Sequence, residues 1–255
     1  RASLSGFKSS RSGFSLGTSF EQYENIFISP TFTTTYEKIS AESTASEQIK
    51  KMDGTFFNAD LGYGIKLDKR NQAFRPTDGY VTRFSQSLPI LQDSSSIMNG
   101  LTMSGYHEFS EDVVGSLKFY AKTIHGVDDD VRLTNRLYIP RKRLRGFNTW
   151  QVGPKDGDDW IGGNYTSTLS AEAQLPNLLP ESYRTDFSLF VDTGNVWEVD
   201  YSDSIDDTSK IRSSVGLSAN VFTTIGPLSF TFAQSLSKAS SDSTETFNFN
   251  LGTSF

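Results

Sequence analysis

Alternation of apolar and polar side chains dominates this sequence. In the last segment, Phe247, Phe249 and Leu251 alternate with polar or small residues up to Phe255. A period of two places successive side chains on opposite faces of a β-strand, whereas an amphipathic helix needs apolar residues three and four positions apart. No long window of the sequence has the helical spacing, so the pattern predicts an all-β fold.

Twelve segments carry this strand-like pattern. They cover residues 2–7, 11–20, 24–36, 55–67, 79–88, 97–109, 112–124, 164–175, 184–197, 211–224, 227–238 and 245–255. Several reach the about 9–11 residues that a tilted strand needs to cross a bilayer. Because single-chain bacterial barrels usually have an even number of strands, we predict an antiparallel transmembrane β-barrel.

The connections between these segments differ in length on the two sides of the predicted sheet. One side has short links at 21–23, 110–111, 176–183 and 225–226, with a longer one at 68–78. The other side has loops at 37–54, 89–96, 125–163, 198–210 and 239–244, with a short link at 8–10. Short periplasmic turns opposite long outer loops are typical of membrane barrels, so we assign the first side to the periplasm.

Composition supports this prediction and limits the partners and metal sites that the chain can have. Only 36% of residues are hydrophobic but 13% are aromatic, which suits strands that face lipid on one side and a polar lumen on the other. No apolar run approaches the ~18 residues of a transmembrane helix. The net charge of −6 disfavours a nucleic-acid partner, because phosphate binding needs a basic surface. The absence of cysteine excludes disulfides and cysteine-ligated metals.

The longest predicted loop contains the most distinctive motif, Arg143-Leu144-Arg145-Gly146-Phe147. Further motifs follow in order: Val152-Gly153-Pro154-Lys155, Ile161-Gly162-Gly163-Asn164, Ser170-Ala171-Glu172-Ala173-Gln174-Leu175-Pro176, Phe190-Val191-Asp192-Thr193-Gly194-Asn195-Val196-Trp197 and Ile225-Gly226-Pro227-Leu228. In this order and spacing, the series resembles the C-terminal barrel of the outer-membrane protein assembly factors, the bacterial surface antigen family. No single tetrapeptide is specific, but the ordered series is.

The resemblance extends over the whole chain, with three departures. The segment Phe74-Arg75-Pro76-Thr77-Asp78-Gly79 is similar to the family's Phe-Pro-Thr-Asp-Gly turn, but Arg75 is inserted. Leu144 stands where the family usually has valine. The family barrel has about sixteen strands, preceded by POTRA domains, and nothing in the chain resembles a POTRA domain. We therefore interpret residues 1–255 as one outer-membrane β-barrel domain, the C-terminal portion of a sixteen-stranded barrel whose first strands lie upstream; the alternative is a shortened barrel.

The alternation of side chains along two neighbouring predicted strands places two acids, Glu172 and Asp192, on the same face. If the apolar residues of 164–175 and 184–197 face lipid, Glu172 and Asp192 point into the lumen from neighbouring strands. Arg145, in the long loop, has a planar guanidinium whose donors match carboxylates. A loop that folds back into the lumen would bring Arg145 to these acids.

The neighbours of Arg145 suit such a docked loop. Gly146 would allow a tight turn, and Phe147 would wedge against the wall. The resemblance implies the same arrangement, in which Leu144, Arg145, Gly146 and Phe147 brace the barrel.

The resemblance also implies a function for the whole protein. It implies assembly and insertion of β-barrel proteins into the bacterial outer membrane, with unfolded barrel proteins as substrates, lipoprotein subunits and membrane lipid as partners, and no cofactor. The terminal strand, with Phe247, Phe249, Leu251 and Phe255, would be one side of a lateral gate, whose free edge can template an incoming strand.

Other functions fit the sequence less well. A two-partner secretion exporter of the same superfamily shares the loop arginine, and five or two upstream POTRA domains would favour assembly or export, respectively. A passive porin would not explain the motif series, and a soluble β-sandwich would not explain the strand number. We expect no enzyme activity, because His107 and His125 have no plausible Ser-His-Asp set. The acidic stretches lack the ordered ligand spacing of a calcium loop, so we expect no metal site.

Overall fold

The computed structural model describes residues 3–251, with gaps at 5, 46, 94, 177–178, 181–184 and 224–225. The first strands are β1 (Ser3–Leu4), β2 (Phe7–Gly17), β3 (Phe20–Tyr23), β4 (Ile26–Ala41), β5 (Gly54–Asp68), β6 (Gly79–Gln92), β7 (Ser96–Ser110) and β8 (Val113–Gly126). The remaining strands are β9 (Lys155–Asp156), β10 (Asp159–Trp160), β11 (Tyr165–Gln174), β12 (Thr185–Trp197), β13 (Arg212–Thr223), β14 (Gly226–Ser237) and β15 (Phe247–Leu251). Among the described residues, one short α-helix, α1 (Glu47–Lys51), precedes β5, and two 3-10 helical turns lie at Leu133–Asn135 and Arg141–Arg143.

A single antiparallel sheet forms the wall of the molecule. Its order is β1-β2-β4-β5-β6-β7-β8-β11-β12-β13-β14-β15, with β3 paired to β4 as a continuation of β2. The prediction of an all-β antiparallel fold with twelve consecutive strands is confirmed. Within the described ranges, β1 and β15 are the two ends of this sheet. The β9–β10 hairpin lies in the long connection between β8 and β11.

Several predicted boundaries are wrong where polar residues continue a strand. Residues 8–10 lie inside β2 rather than in a link, because Lys8, Ser9 and Ser10 pair with β4. Residues 21–23 belong to β3, and the turn falls at Glu24 and Asn25. The predicted 37–54 and 89–96 loops are also shorter, since β4, β6 and β7 extend into them. Backbone pairing continues there although the apolar signal has stopped.

The two faces of the sheet have opposite character. On the outward face Leu189 and Val191 are each 49% exposed, whereas the inward Asp192 is fully buried and Ser188 is 3% exposed. Buried polar and exposed apolar side chains reverse the distribution of a water-soluble protein. The arrangement fits a wall with lipid outside and packed polar groups inside.

The long loops cover the outer end of the lumen. Phe7 and Ile39 of the wall pack with Ile49 of α1 and with Leu133 and Ile161 of the long loop. The packed apolar core of the molecule therefore lies under the loops rather than between two sheets.

An aromatic cluster marks the outer rim of the lipid-facing surface. The Tyr165 ring stacks on Trp197 with centroids 5.7 Å apart, and His125 meets Tyr165 edge-on at 5.3 Å. Aromatic girdles at this height are typical of membrane barrels. In the described part of the chain, no helix has the length and apolar character needed to cross a membrane.

Candidate functional site

Two inward-facing acids lie on the adjacent strands β11 and β12. Glu172 pairs in register with Phe190, and Ser170 pairs with Asp192, so both carboxylates project from the same face. The Ser170 hydroxyl donates a 2.6 Å hydrogen bond to Asp192 Oδ1. The wall thus presents one fully buried carboxylate, Asp192, and one half-buried carboxylate, Glu172, to the lumen.

Arg145 of the long loop reaches both acids. Its Nε and Nη2 donate to the two carboxylate oxygens of Asp192, each at 2.8 Å, and Nη1 donates to Glu172 Oε2 at 2.9 Å. Its backbone N–H also donates to Asp192 Oδ2 at 3.0 Å. A bidentate arginine–carboxylate pair is strong and fixes orientation. The structure therefore brings together the three charged residues that the sequence singled out.

The surroundings of Arg145 favour its charged state. The guanidinium carbon lies 3.5 Å from the centre of the Phe190 ring, which adds a cation–π contact. Burial opposes the charge, but hydrogen bonds and attraction from Asp192 and Glu172 outweigh it and raise the pKa of Arg145. Lys118 Nζ lies 3.8 Å from Glu172, so Glu172 interacts with two cations.

Gly146 allows the loop to lie directly on the wall. Its φ is +89°, a left-handed value that favours glycine. A Cβ at this position would lie 2.9 Å from the Cβ of Ala233 in β14. The Ser214 hydroxyl of β13 donates to the Arg145 carbonyl at 2.5 Å, which holds the same peptide from below.

Leu144 and Phe147 form the apolar part of the docked loop. They are 2% and 3% exposed and pack in one cluster with Ile139, Val152 and Val196 of β12. The loop motif is therefore held by buried apolar side chains as well as by ion pairs.

The loop also pairs with the segment that leads into β15. Phe147 forms an antiparallel bridge with Thr244, and the Glu245 N–H donates to the Gly146 carbonyl at 3.0 Å. The Asn148 N–H donates to the Ser243 carbonyl, also at 3.0 Å. The motif loop thus contacts β11, β12, β13 and the start of the terminal strand.

The terminal strand places its phenylalanines on the outward face. Phe247 packs against Phe232 and Phe249 against Phe230 of β14, with ring centroids 4.8 and 5.2 Å apart. Leu251 pairs in register with Leu228. Phe255 lies outside the described residues.

Sequence reasoning missed a second ion pair, between the buried Arg136 and the partly exposed Asp200. Arg136 Nη2 donates to Asp200 Oδ1, and Arg136 Nη1 donates to Asn164 Oδ1 at 3.0 Å. The Val131 N–H and the Asn164 amide donate to Asp200 Oδ2, each at 2.9 Å. Burial would raise the pKa of Asp200, but the Val131 hydrogen bond and the Arg136 guanidinium lower it.

A third ion pair, also missed, joins β13 to the 238–246 loop. Arg212 Nε and Nη2 donate to the carboxylate of Asp242 at 2.7 and 3.0 Å, and both side chains are nearly fully buried. The Gly153 N–H donates to Asp242 Oδ1 at 3.1 Å, which ties the long loop to the same acid. An Arg at a strand end or an Asp in a loop is usually solvated, and of these three residues only Gly153 belongs to a motif that the sequence singled out. Among the described residues, no group of three or more His, Asp or Glu side chains is arranged to hold a metal.

Comparisons with known proteins agree with this fold. The Omp85 superfamily domain matches residues 1–255, so the chain belongs to the Omp85 superfamily. The chain is 27% identical over 256 residues to the outer membrane protein assembly factor BamA of Neorickettsia risticii, covering 98% of this chain and 34% of that protein. It therefore spans about a third of the length of that curated relative.

Two solved structures share the architecture. The crystal structure of BamA from Haemophilus ducreyi lacking POTRA domains 1–3 matches with a TM-score of 0.82 and 24% identity, covering 95% of this chain and 54% of that one. CdiB from Acinetobacter baumannii matches with a TM-score of 0.63 and 16% identity, covering 96% and 42%. The predicted family and the predicted bacterial outer-membrane location are confirmed.

Proposed function

We propose that this chain is the barrel part of a protein that assembles and inserts β-barrel proteins into the bacterial outer membrane. The observation that carries the proposal is the likeness to BamA along almost the whole chain, at 27% identity over 98% of its length. The docked Arg145 motif and the edge of β15, which pairs with no further strand among the described residues, supply the physical parts that such an activity needs.

The edge of β15 is suited to templating another strand. The Ala233 N–H donates to the Thr246 carbonyl, so Thr246 and every second residue after it turn their backbone groups toward β14. The N–H and C=O groups of Phe247 and Phe249 therefore point the other way, to the free edge. An extended segment that pairs there satisfies its backbone groups before it enters hydrocarbon, where each unpaired group costs several kcal/mol.

The docked loop supports this edge from inside. Arg145 fixes the loop to β11 and β12, and residues 243–245 continue the contact to β15. We propose that the loop stiffens the wall, so that the sheet opens at the edge of β15 rather than elsewhere. The activity then consists of exchanging backbone hydrogen bonds, without a nucleotide, a cofactor or a covalent step, and its substrates are unfolded barrel proteins. Partner subunits of an assembly complex and the surrounding lipid would contribute from outside the chain.

Reconstitution of the full-length protein tests the proposal. Liposomes containing it should convert an added unfolded barrel protein to a protease-resistant, heat-modifiable form faster than empty liposomes. Phe249→Pro should slow this conversion, because proline removes the N–H at the free edge while the hydrogen bonds to β14 remain.

The matched control is Phe249→Leu, which keeps the N–H and an apolar side chain. Equal rates for the proline and leucine variants would contradict a templating edge. Appearance of the substrate inside the vesicles, rather than in the bilayer, would instead favour a polypeptide exporter. Stable conductance without any effect on the substrate would favour a porin.

A further inference from the structure

The connection between β5 and β6, residues 69–78, reaches across the short-turn end of the sheet. We call this segment the strap. Arg75 Nη2 of the strap donates to Asp186 Oδ1 of β12 at 2.7 Å, although the two residues are 111 positions apart. The Arg75 guanidinium also lies over the Phe222 ring of β13, 5.7 Å from its centre.

These contacts cross the lumen side of the wall. Asp186 has the same strand parity as Ser188 and Asp192, which face inward, and Phe222 shares the parity of Ser218. Strands β7, β8 and β11 lie between β6 and β12 in the sheet. The four strand spacings from β6 to β12, at about 4.8 Å each, give ~19 Å of sheet. The strap therefore bridges the inward face of the sheet from β6 to β12.

The strap has a built internal structure. Arg70 Nε and Nη2 donate to the two carboxylate oxygens of Asp68 at 2.8 and 2.7 Å. The Asn71 side chain donates to the Thr77 hydroxyl at 2.8 Å and accepts from the Thr77 N–H at 3.2 Å. The strap therefore projects from β5 and β6 as an ordered unit rather than as a loose chain.

The conformation of Arg75 is one that arginine rarely adopts. Its φ is +49°, in the left-handed region, and its carbonyl accepts a 2.7 Å hydrogen bond from Gln72 Nε2. An uncommon backbone conformation persists when the surrounding contacts impose it, and such positions concentrate at functional sites. Here it directs the side chain toward Asp186.

We propose that the strap is a closure at the periplasmic mouth of the lumen, and that the Arg75–Asp186 ion pair holds it shut against water-soluble solutes. The closure acts on the end opposite to the docked Arg145 loop, so the lumen is covered at both mouths. This role is independent of the proposed assembly activity, because it concerns leakage through the lumen and not strand pairing at β15.

Conductance of the full-length protein in planar bilayers tests the closure. Arg75→Ala and Asp186→Ala should each raise the fraction of time in conducting states by up to about fivefold, as expected for losing an ion pair that is partly exposed to water. The double variant should conduct no more than either single variant. The exchanged pair, Arg75→Asp with Asp186→Arg, should return the conductance toward that of the native protein, since aspartate tolerates left-handed backbone.

Controls separate closure from general damage. Lys69→Ala changes a neighbouring exposed cation of the strap and should leave the conductance unchanged. Heat-modifiability of each variant reports whether the barrel folds, and Asp186→Asn replaces Asp186→Ala if the latter does not fold. Unchanged conductance in the folded single variants would overturn the proposal, as would a rise that the exchanged pair does not reverse.

A covalent restraint gives an independent measurement. The chain contains no cysteine, so cysteines placed at 75 and 186 can be joined specifically by a short bismaleimide. The joined protein should conduct like the native protein, and the unjoined one like Arg75→Ala. If both conduct equally, the strap does not close the mouth.

Discussion

At the scale of single residues, removing the Arg145 side chain would leave carboxylates without their guanidinium partner, and removing Arg141 would not. Arg145 satisfies the fully buried carboxylate of Asp192 and the half-buried carboxylate of Glu172, whereas Arg141 donates to Thr149 in an exposed position. Removing one partner of a buried ion pair costs about 3–5 kcal/mol, because the remaining charge is uncompensated. Surface pairs contribute about 0–1 kcal/mol.

We expect Arg145→Ala to lower the temperature at which the barrel loses its heat-modifiable folded form, by far more than Arg141→Ala. Arg145→Lys should fall between them, since lysine keeps the charge but not the bidentate geometry. Indistinguishable transitions for the two alanine variants in a gel-shift series would rule out a bracing role for Arg145.

Gly146 offers a second test at the same scale. In Gly146→Ala the new methyl group would meet Ala233 at 2.9 Å, whereas at Gly157, also with positive φ, nothing lies within 4 Å. Both substitutions carry the backbone cost of about 1–2 kcal/mol, but only the first pushes the loop off the wall. Limited proteolysis of the 127–164 loop should therefore speed up in Gly146→Ala and change much less in Gly157→Ala. Similar proteolysis of the two variants would contradict close packing at Gly146.

At the scale of elements, Asp200 anchors the long loop to the loop that follows β12, because it accepts hydrogen bonds from Val131 and Arg136. Because the pKa of this carboxyl is lowered in the folded protein, the anchor is fully present above the usual aspartate pKa of about 3.9. It is lost as the pH falls through the lowered value. The outer loops should thus become protease-sensitive at acidic pH before the barrel unfolds.

The control for this prediction is Asp200→Asn, which retains the shape without the charge. It should make the loops more sensitive at neutral pH and flatten the acid dependence. A wild-type acid profile in the asparagine variant would assign the transition to other groups.

Elements were predictable from sequence where lipid imposes the period of two. Phe187, Leu189 and Val191 alternate with inward polar residues because hydrocarbon lies on one side only, and β12 was therefore predictable from the sequence. Above the membrane this pressure ends, so the extensions of β2 and β4 and the helix α1 were missed. Backbone pairing alone leaves no apolar signature.

The site shows the same division. Parity placed Glu172 and Asp192 on one face of neighbouring strands, and the guanidinium geometry of Arg145 supplied their partner. Arg136–Asp200 and Arg212–Asp242 join residues 64 and 30 positions apart. No periodicity relates these four residues, of which Arg212 begins β13 and the others lie in loops, and their side chains look like ordinary solvated charges until the chain is folded.

At the scale of the whole molecule, the outward face is expected to be the lipid surface. Leu189→Arg, on that face, should destabilise the barrel by about 2–4 kcal/mol if the position lies near the bilayer midplane. Thr31→Arg places the same charge on the inward face of β4, beside Gly17 and Gly62, and should cost much less. Denaturant titrations in phospholipid bilayers, followed by tryptophan fluorescence, measure both. Equal losses would mean that the two faces meet similar surroundings.

The bridge between Phe147 and Thr244 has a mechanical consequence. The peptide groups of 146–148 are hydrogen-bonded to 243–245. The segment that leads into β15 and the long loop therefore move together, unless these hydrogen bonds break. Separating the terminal strand β15 from its outer end therefore starts by breaking these hydrogen bonds inside the lumen. The energy needed to open the lipid-facing edge is thus set partly by a contact that lies away from the lipid.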